Sequence, residues 1–546
     1  MSDGARHPGR LDRRHFLAGT AVGIAAGVTA TALSACDSPR GDEPGTATLT
    51  TPAVESIERE RQRPGSPGWR IRSQGPPDAV QGFADKVSVL PGEEFGLYVS
   101  TTAPGFRVSA YRVGWYGGAQ ARRVWRSGRV AGRVQRGPRL IAATRTVRAD
   151  WERTLRVRTD GWPEGAYLLR LDAEHGHQRY VPLIVRSASA RDRTVLLHAP
   201  ATWQAYNLWG GYSLYQSEDG AYRTRSLAVS FDRPYDKNGA EKFMVYERAV
   251  VVLAERLGLP LAYTTGADVH AAPSVLDGAT AVVTLGHDEY WTPEQRRYLT
   301  RARDAGTNLA FLGANTCFRR IRLEREGTAG PSPERTARIA ADTTSTSAAT
   351  TSTALRTVVC YKTDYQDDPY LVDHPSTATT DFRQPPAADP ESSLTGVLYE
   401  GFPTDAAYVV HGADHWVFEG TGVKRGDAFA HLVGVEYDRV TPDAPTPAPI
   451  EIVAHSPLVC NGRKSHSDSA YYTVPSGAGV YASGTMRWVE GLMAGTRENG
   501  RNHGMDARTG AFVTRTTENV LRAFAEGPAA KTRPAPRDNV RDVYKT

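Results

Sequence analysis

Apolar and polar positions change rhythm once along this chain, near residue 190. Before that point, short apolar runs cover residues 87–90, 94–99, 106–113 and 167–171, punctuated by glycine and proline. Such runs, rich in valine, tyrosine and phenylalanine, predict β-strands, and their spacing predicts a β-sandwich over residues 67–188. After it, strand-like runs at 194–198, 261–264, 281–285 and 308–312 alternate with helical patterns. In the longest pattern, 241–257, Phe243, Tyr246, Val250, Leu253 and Leu257 recur every three or four residues, and Gly258 and Pro260 stop it. Shorter helical stretches are expected at 269–276 and 292–305, the second opened by Thr292 as N-cap with Pro293 and Gln295 behind it. Strands alternating with helices mean a parallel, doubly wound sheet.

The expected architecture is therefore multi-domain: an N-terminal β-sandwich, then an α/β doubly wound domain over 189–525, flavodoxin-like or class I amidotransferase-like, with insertions. Residues 340–354 are nearly all Ser, Thr and Ala, so 326–356 is expected to be a mobile insertion. Residues 394–455 hold short β-like runs and a proline-rich stretch, and are expected to form a β-rich insertion. A strand at 357–361, a strand and helix over 477–492 and an amphipathic helix at 516–525 complete the domain. The tail, 526–546, is expected to be disordered.

Composition changes little in this picture, but the N-terminus changes it more. The 546 residues carry a formal charge of +6, a mild excess with no basic-aromatic motif beside it, which argues against a nucleic-acid partner. Arg13-Arg14 precedes an Ala- and Gly-rich apolar segment that ends Leu33-Ser34-Ala35-Cys36. This is the pattern of a twin-arginine lipoprotein signal over residues 1–36, which predicts export and a lipid anchor at Cys36 outside the membrane. Residues 37–66, rich in Pro, Gly, Thr and charge, are expected to be a flexible tether. Outside the cytoplasm a disulfide is permitted, and Cys317, Cys360 and Cys460 allow three pairings that spacing alone does not separate.

Three polar groups follow strands of the expected sheet: His198, the run His287-Asp288-Glu289 after Gly286, and Asn315 after Gly313-Ala314. In an open parallel sheet the carboxyl ends of the strands share one edge, so these groups converge. The connection after His198 is unusually aromatic, from Trp203 through Tyr206 and Trp209 to Tyr212, with Tyr235 further on. A pocket lining is the natural use of so many rings in a loop.

Trp203-Gln204-Ala205-Tyr206-Asn207, Arg233-Pro234-Tyr235, Gly286-His287-Asp288-Glu289-Tyr290-Trp291 and Gly313-Ala314-Asn315-Thr316-Cys317 together resemble the C-terminal region of the large chain of N,N-dimethylformamidase. Trp115-Tyr116-Gly117-Gly118 fits the β-domain that precedes it there. The resemblance implies a mononuclear Fe(III) held by two tyrosinates and one glutamate, with Glu289 as the glutamate and Tyr206 and Tyr235 as the tyrosines. Tyr246 is the rival for the second tyrosine, although its spacing turns it to the core. The resemblance also implies His287 as the catalytic histidine, and we expect Asn315 to orient a small-molecule amide substrate. A small second subunit belongs to that family's pattern, and self-association is a further partner class. Export and the insertion set dimethylformamide itself aside as the substrate. Two other readings stay open: a Cys317 nucleophile as in class I amidotransferases, and a non-catalytic surface lipoprotein whose aromatic cleft binds carbohydrate or cell-wall polymer.

Overall fold

A computed structural model describes residues 52–325, 355–495 and 503–545. The signal segment, most of the Ser/Thr/Ala insertion and residues 496–502 lie outside the described residues. No described helix is long and apolar enough to cross a membrane.

Two sheets share a core in the N-terminal region, and a third, two-stranded one pairs Arg139–Ile141 with Thr146–Arg148. A three-stranded sheet pairs Val80–Ala84, Glu94–Thr101 and Leu155–Arg158. A six-stranded one is built around Gly105–Val113, Gly165–Ala173 and Gln178–Val185. Alternate residues of both (Phe95, Leu97 and Val99 against Val108, Leu169 and Val181) meet in one apolar core. A buried ionic network locks this region to the α/β region. Arg112 is fully buried and donates to Glu255 at 2.5 Å and to the Tyr116 hydroxyl at 3.0 Å. Tyr116, from the Trp115–Gly118 turn, donates in turn to Glu60 at 2.7 Å.

Glu60 lies on a helix, α1 (Pro52–Arg61), inside the stretch expected to be a tether. Ile57 buries on its inner face, and Glu60 also accepts from Arg122 at 2.5 Å, so the end of this stretch docks rather than dangles.

The α/β region is organised by a seven-stranded sheet. Its strands are β1 (Thr194–His198), β2 (Leu261–Thr265), β3 (Ala281–Thr284), β4 (Asn308–Phe311), β5 (Ile450–Cys460), β6 (Arg463–Thr473) and β7 (Gly479–Ala482). The order across the sheet is β2-β1-β3-β4-β7-β6-β5. The first five are parallel; β6 and β5 pair antiparallel at one edge. The expectation of an all-parallel sheet is thus corrected. The β5–β6 hairpin closes the edge, and β5 opens within the stretch expected to be a separate β-rich insertion. Residues 398–409 and 428–439 of that stretch form their own two-stranded ladder.

Both faces of the sheet are covered. Leu196, Val283, Ala310 and Tyr481 pack with Val250 and Leu253 on one side, together with Val520 and Phe524 of the long C-terminal helix Ala507–Ala525. Val195, Leu197, Val282, Leu309 and Phe311 pack with Val269 and Leu299 on the other. Strand alternation alone assigns these residues to their faces.

The 241–257 pattern is two helices, α3 (Glu241–Tyr246) and α4 (Arg248–Arg256), after a first short helix α2 (Pro200–Tyr206). They part at Glu247, which leaves helical geometry at φ −125°, ψ −41°. Its carboxylate accepts from the Trp203 indole at 2.7 Å and lies 2.5 Å from His198 Nδ1. This pull ends α3 and turns Tyr246 out of the core.

The tail is ordered, against expectation. Asn539 accepts from the Ile452 amide at 2.8 Å, the Ala529 amide donates to Asn308 at 3.0 Å, and Tyr544 donates to Asp468. Residues 527–545 thus dock on β4, β5 and β6, with Val540, Val543 and Tyr544 packed against the core. Cys317, Cys360 and Cys460 are free and buried, so none of the three pairings forms.

Candidate active site

The site begins with two glycines. A Cβ on Gly286 would stand 2.4 Å from the Tyr246 carbonyl oxygen, and one on Gly313 2.2 Å from the Gly286 oxygen. Three backbone segments therefore pass closer than any side chain allows, at the carboxyl ends of β3 and β4. The turn after Gly286 delivers His287 and Glu289 into the space between them. Thr292 then caps the next helix, α6 (Pro293–Asp304), accepting from the Gln295 amide at 3.1 Å, with the short helix α5 (Gly266–Ala271) beside it.

Glu289 is buried and is the hub. Tyr206 donates to its Oε2 at 2.6 Å. Tyr215 Oη lies 2.7 and 2.8 Å from its two oxygens and 2.9 Å from Tyr206 Oη. His287 Nε2 is 2.9 Å from Tyr206 Oη and 3.4 Å from Glu289 Oε2. Arg319 Nε reaches the carboxylate at 3.3 Å, and Tyr290 donates to Tyr215 Oη at 2.7 Å. Burial pushes the Glu289 carboxyl up, but the hydrogen bond and charge of His287, then Arg319 and Lys362, outweigh it and hold the group well below the usual carboxylate range.

Cations flank the phenols. Lys362 Nζ stands 3.2 Å from the centroid of the Tyr215 ring and donates to the Leu214 carbonyl at 2.7 Å. Lys242 Nζ stands 4.2 Å over the Tyr206 ring and 5.4 Å from that of Tyr246. Burial draws the Lys242 ammonium down to about 8.

Tyr206, Tyr215 and His287 open onto a cavity of about 410 Å³, lined also by Tyr235, Tyr246, Phe243, Phe402 and Met486. Of the residues singled out from the sequence, Tyr206, His287 and Glu289 meet. Tyr235 lines the same cavity but rests edge-on against Trp203 at 6.3 Å and bonds Gln204; none of its hydrogen bonds among the described residues reaches the other three. Burial raises its phenol above the ordinary tyrosine value. Tyr246, expected to face the core, lines the cavity with its ring 5.6 Å from that of His287, because of the break at Glu247.

Tyr215 is not among the residues that the sequence pattern singles out. Leu214 beside it is fully buried, and its amide donates to the Ala205 carbonyl at 3.0 Å. That folds the loop back onto α2 and stacks Tyr215 on Tyr206, centroids 4.4 Å apart. The one sequence signal is an apolar residue followed by a tyrosine within the aromatic loop.

Asn315 does not line the cavity among the described residues. Its amide nitrogen donates to Glu436, which does, at 2.8 Å, and its backbone amide to Asp438 at 2.8 Å. Asp288 is buried behind Glu289, and desolvation, then the charge of Glu247, pushes its carboxyl up to about 8. Cys317 is buried against Arg296 at 3.4 Å, with burial pushing its thiol up to about 12, which is the opposite of an activated nucleophile.

The sequence pattern that surrounds this geometry has a family model. The N,N-dimethylformamidase beta subunit-like, C-terminal family matches residues 107–503, which span every side chain of the site. The chain belongs to this family. Its relationship is therefore to amidase-type hydrolases. Among curated proteins none matches the chain. Of solved structures, a Paenibacillus sp. cycloisomaltooligosaccharide glucanotransferase complexed with cycloisomaltoheptaose is similar at 14% identity. The match covers 23% of this chain and 16% of that one, with a TM-score of 0.14, and it carries no argument.

Proposed function

We propose that this protein is an exported, iron-dependent hydrolase that cleaves an amide C–N bond. The observation that carries the reading is the convergence of Tyr206 Oη, Tyr215 Oη and the Glu289 carboxylate within 2.6–2.9 Å of one another at the wall of a cavity. Among the described residues no three His, Cys, Asp or Glu side chains gather as a metal-ligand group, and the donors here are chiefly phenolic. Two phenols and a carboxylate are the hard anionic oxygen donors that Fe(III) favours. Arg319, Lys362 and Lys242 set positive charge beside them. The residues present therefore fit the ion, with Tyr206, Tyr215 and Glu289 holding it; Tyr215 replaces Tyr235 in our assignment. Bound there, the ion would supply Lewis acidity toward an amide carbonyl and toward water.

The chain's own groups do the rest. His287 lines the cavity with Nε2 at the Tyr206 oxygen, in reach of a proton taken from water and passed to the leaving amine. Its Nδ1 is buried and has no hydrogen-bond partner among the described residues. Asn315 acts through Glu436, whose position on the lining it holds. The parallel strand order β2-β1-β3-β4-β7, with helices on both faces, supports a flavodoxin-like scaffold for this edge. The two N-terminal sheets around one core support a sandwich. The Arg13-Arg14 and Cys36 patterns support export and lipid anchoring.

The test is amine release from a panel of small amides by protein exported in its own host. Iron-dependent release that His287→Ala abolishes while iron is retained is the expected result. No release from any amide by iron-loaded protein, or full release by His287→Ala, overturns it.

A further inference from the structure

We propose that Lys242 is the anion anchor of the cavity, so that the preferred substrates are amides carrying a carboxylate together with an apolar group. That the ligand is an amide rests on the hydrolase reading; that it is an anion rests on the cavity alone.

The lining contains several cations, and all but one are matched. Lys237 pairs with Glu241 at 2.5 Å, Arg487 with Asp405 at 3.1 Å, and His503 with Glu490 at 3.0 Å. The lining carboxylates are occupied likewise: Glu436 by Asn315 at 2.8 Å, and Asp236 by the Leu208 amide at 3.3 Å. Lys242 alone has neither an ion pair nor a hydrogen bond among the described residues; its Nζ stands against the faces of Tyr206 and Tyr246, and the charges of Glu241, Asp236 and Glu436 reach it only from beyond ion-pair distance. Ring faces attract a cation but leave its three N–H donors unspent. An ammonium removed from water favours an anion that accepts those donors, and a ligand carboxylate is the matching group.

The remaining lining sets the rest of the ligand. Phe243, Phe402, Val435 and Met486 offer an apolar wall. A volume of about 410 Å³ is in the range of roughly 300–1,000 Å³ typical of drug-sized ligands, well above what a two- or three-carbon amide fills. Lys242 covers the face of Tyr206, whose hydroxyl meets Glu289. An acid held by the ammonium therefore lies one ring away from the oxygens assigned to the chemistry, which suits a short spacer between carboxylate and amide.

The experiment is calorimetric binding, which needs no turnover. N-benzoylglycine, N-benzoyl-β-alanine and N-benzoyl-γ-aminobutyrate are each compared with the N-benzoyl amino alcohol of the same length. For at least one spacer the acid should bind about 10- to 100-fold more tightly than its alcohol. Lys242→Met should bring that ratio to about one, and Lys242→Arg should preserve it. A lysine that only steadied the Tyr206 oxygen would weaken acid and alcohol together and leave the ratio standing. That outcome, or a ratio near one for all three spacers in the unmodified protein, overturns the proposal. If Lys242→Met does not fold, Lys242→Gln takes its place, and if neither folds the unmodified ratios decide. A clear ratio without hydrolysis of any member leaves the anchor and removes the hydrolase reading; hydrolysis without a ratio does the reverse.

Discussion

Two buried glutamates sit at neighbouring strand ends, each facing a histidine, and they do different work. At the end of β1, Glu247 lies 2.5 Å from His198 and accepts from the Trp203 indole and, at 3.3 Å, from the Ala199 amide. At the end of β3, Glu289 meets His287, Tyr206 and Tyr215. An indole or amide N–H has no lone pair to offer and does not give up its proton. A phenol has both capacities. The first cluster thus gathers no oxygen donor besides its carboxylate, and beside it the helix breaks and Tyr246 lines the cavity. The second keeps oxygen donors, a histidine and an opening to the cavity. A buried His–Glu pair by itself is therefore a poor sign of chemistry; what the pair is bonded to decides.

Substitutions that separate the two clusters test this directly. The largest effect is expected at Glu289→Ala: iron content falls to background and amide hydrolysis drops about 10³-fold or more. The fold survives, because Arg319 stays paired with Asp381. Elemental analysis and circular dichroism check it. Glu247→Ala should do the opposite. It leaves His198 and two N–H donors without an acceptor and costs about 3 kcal/mol in urea unfolding, while the purified folded fraction keeps its iron. Next, Tyr215→Phe should lower iron affinity at least about 10-fold, and Tyr235→Phe should leave it unchanged, as read by competition with a chelator.

The smallest effect concerns Asp288, which lies between the clusters. Its carboxyl is pushed up to about 8 in the folded protein against 3.8 ordinarily. Between those values the folded state binds the extra proton. Its contribution is greatest at low pH and is lost as pH rises toward 8. Asp288→Asn should therefore flatten the fall in Tm between pH 5 and 8.5 and raise Tm at the upper end, measured on iron-free protein.

Much of this architecture is visible in the chain. The parallel strands Thr194–His198, Leu261–Thr265, Ala281–Thr284 and Asn308–Phe311 are short β-branched or apolar runs with abrupt ends, and local pattern suffices for them. Gly286 and Gly313 mark where backbones crowd. What local pattern does not carry is contact at a distance. The helix break at Glu247 comes from His198 and Trp203, more than forty residues earlier, so a clean 3.6-residue rhythm hides it. Tyr215 reaches Glu289 only because Leu214 folds its loop back onto α2. The β5–β6 hairpin follows a proline-rich stretch that disguises it as an insertion, and the tail is held by long-range bonds such as that of Asn539 to Ile452 and by a few apolar contacts at Val540, Val543 and Tyr544, which no local pattern announces.

We propose that two phenols and one carboxylate hold an iron at the end of β3. The most direct test is elemental analysis of the natively exported protein together with its visible spectrum. A single iron per chain, with the visible absorption of tyrosinate on Fe(III) that Tyr215→Phe alters and Tyr235→Phe does not, is the predicted result. A folded protein that is colourless and free of iron, or one whose colour depends on Tyr235 and not on Tyr215, would contradict it.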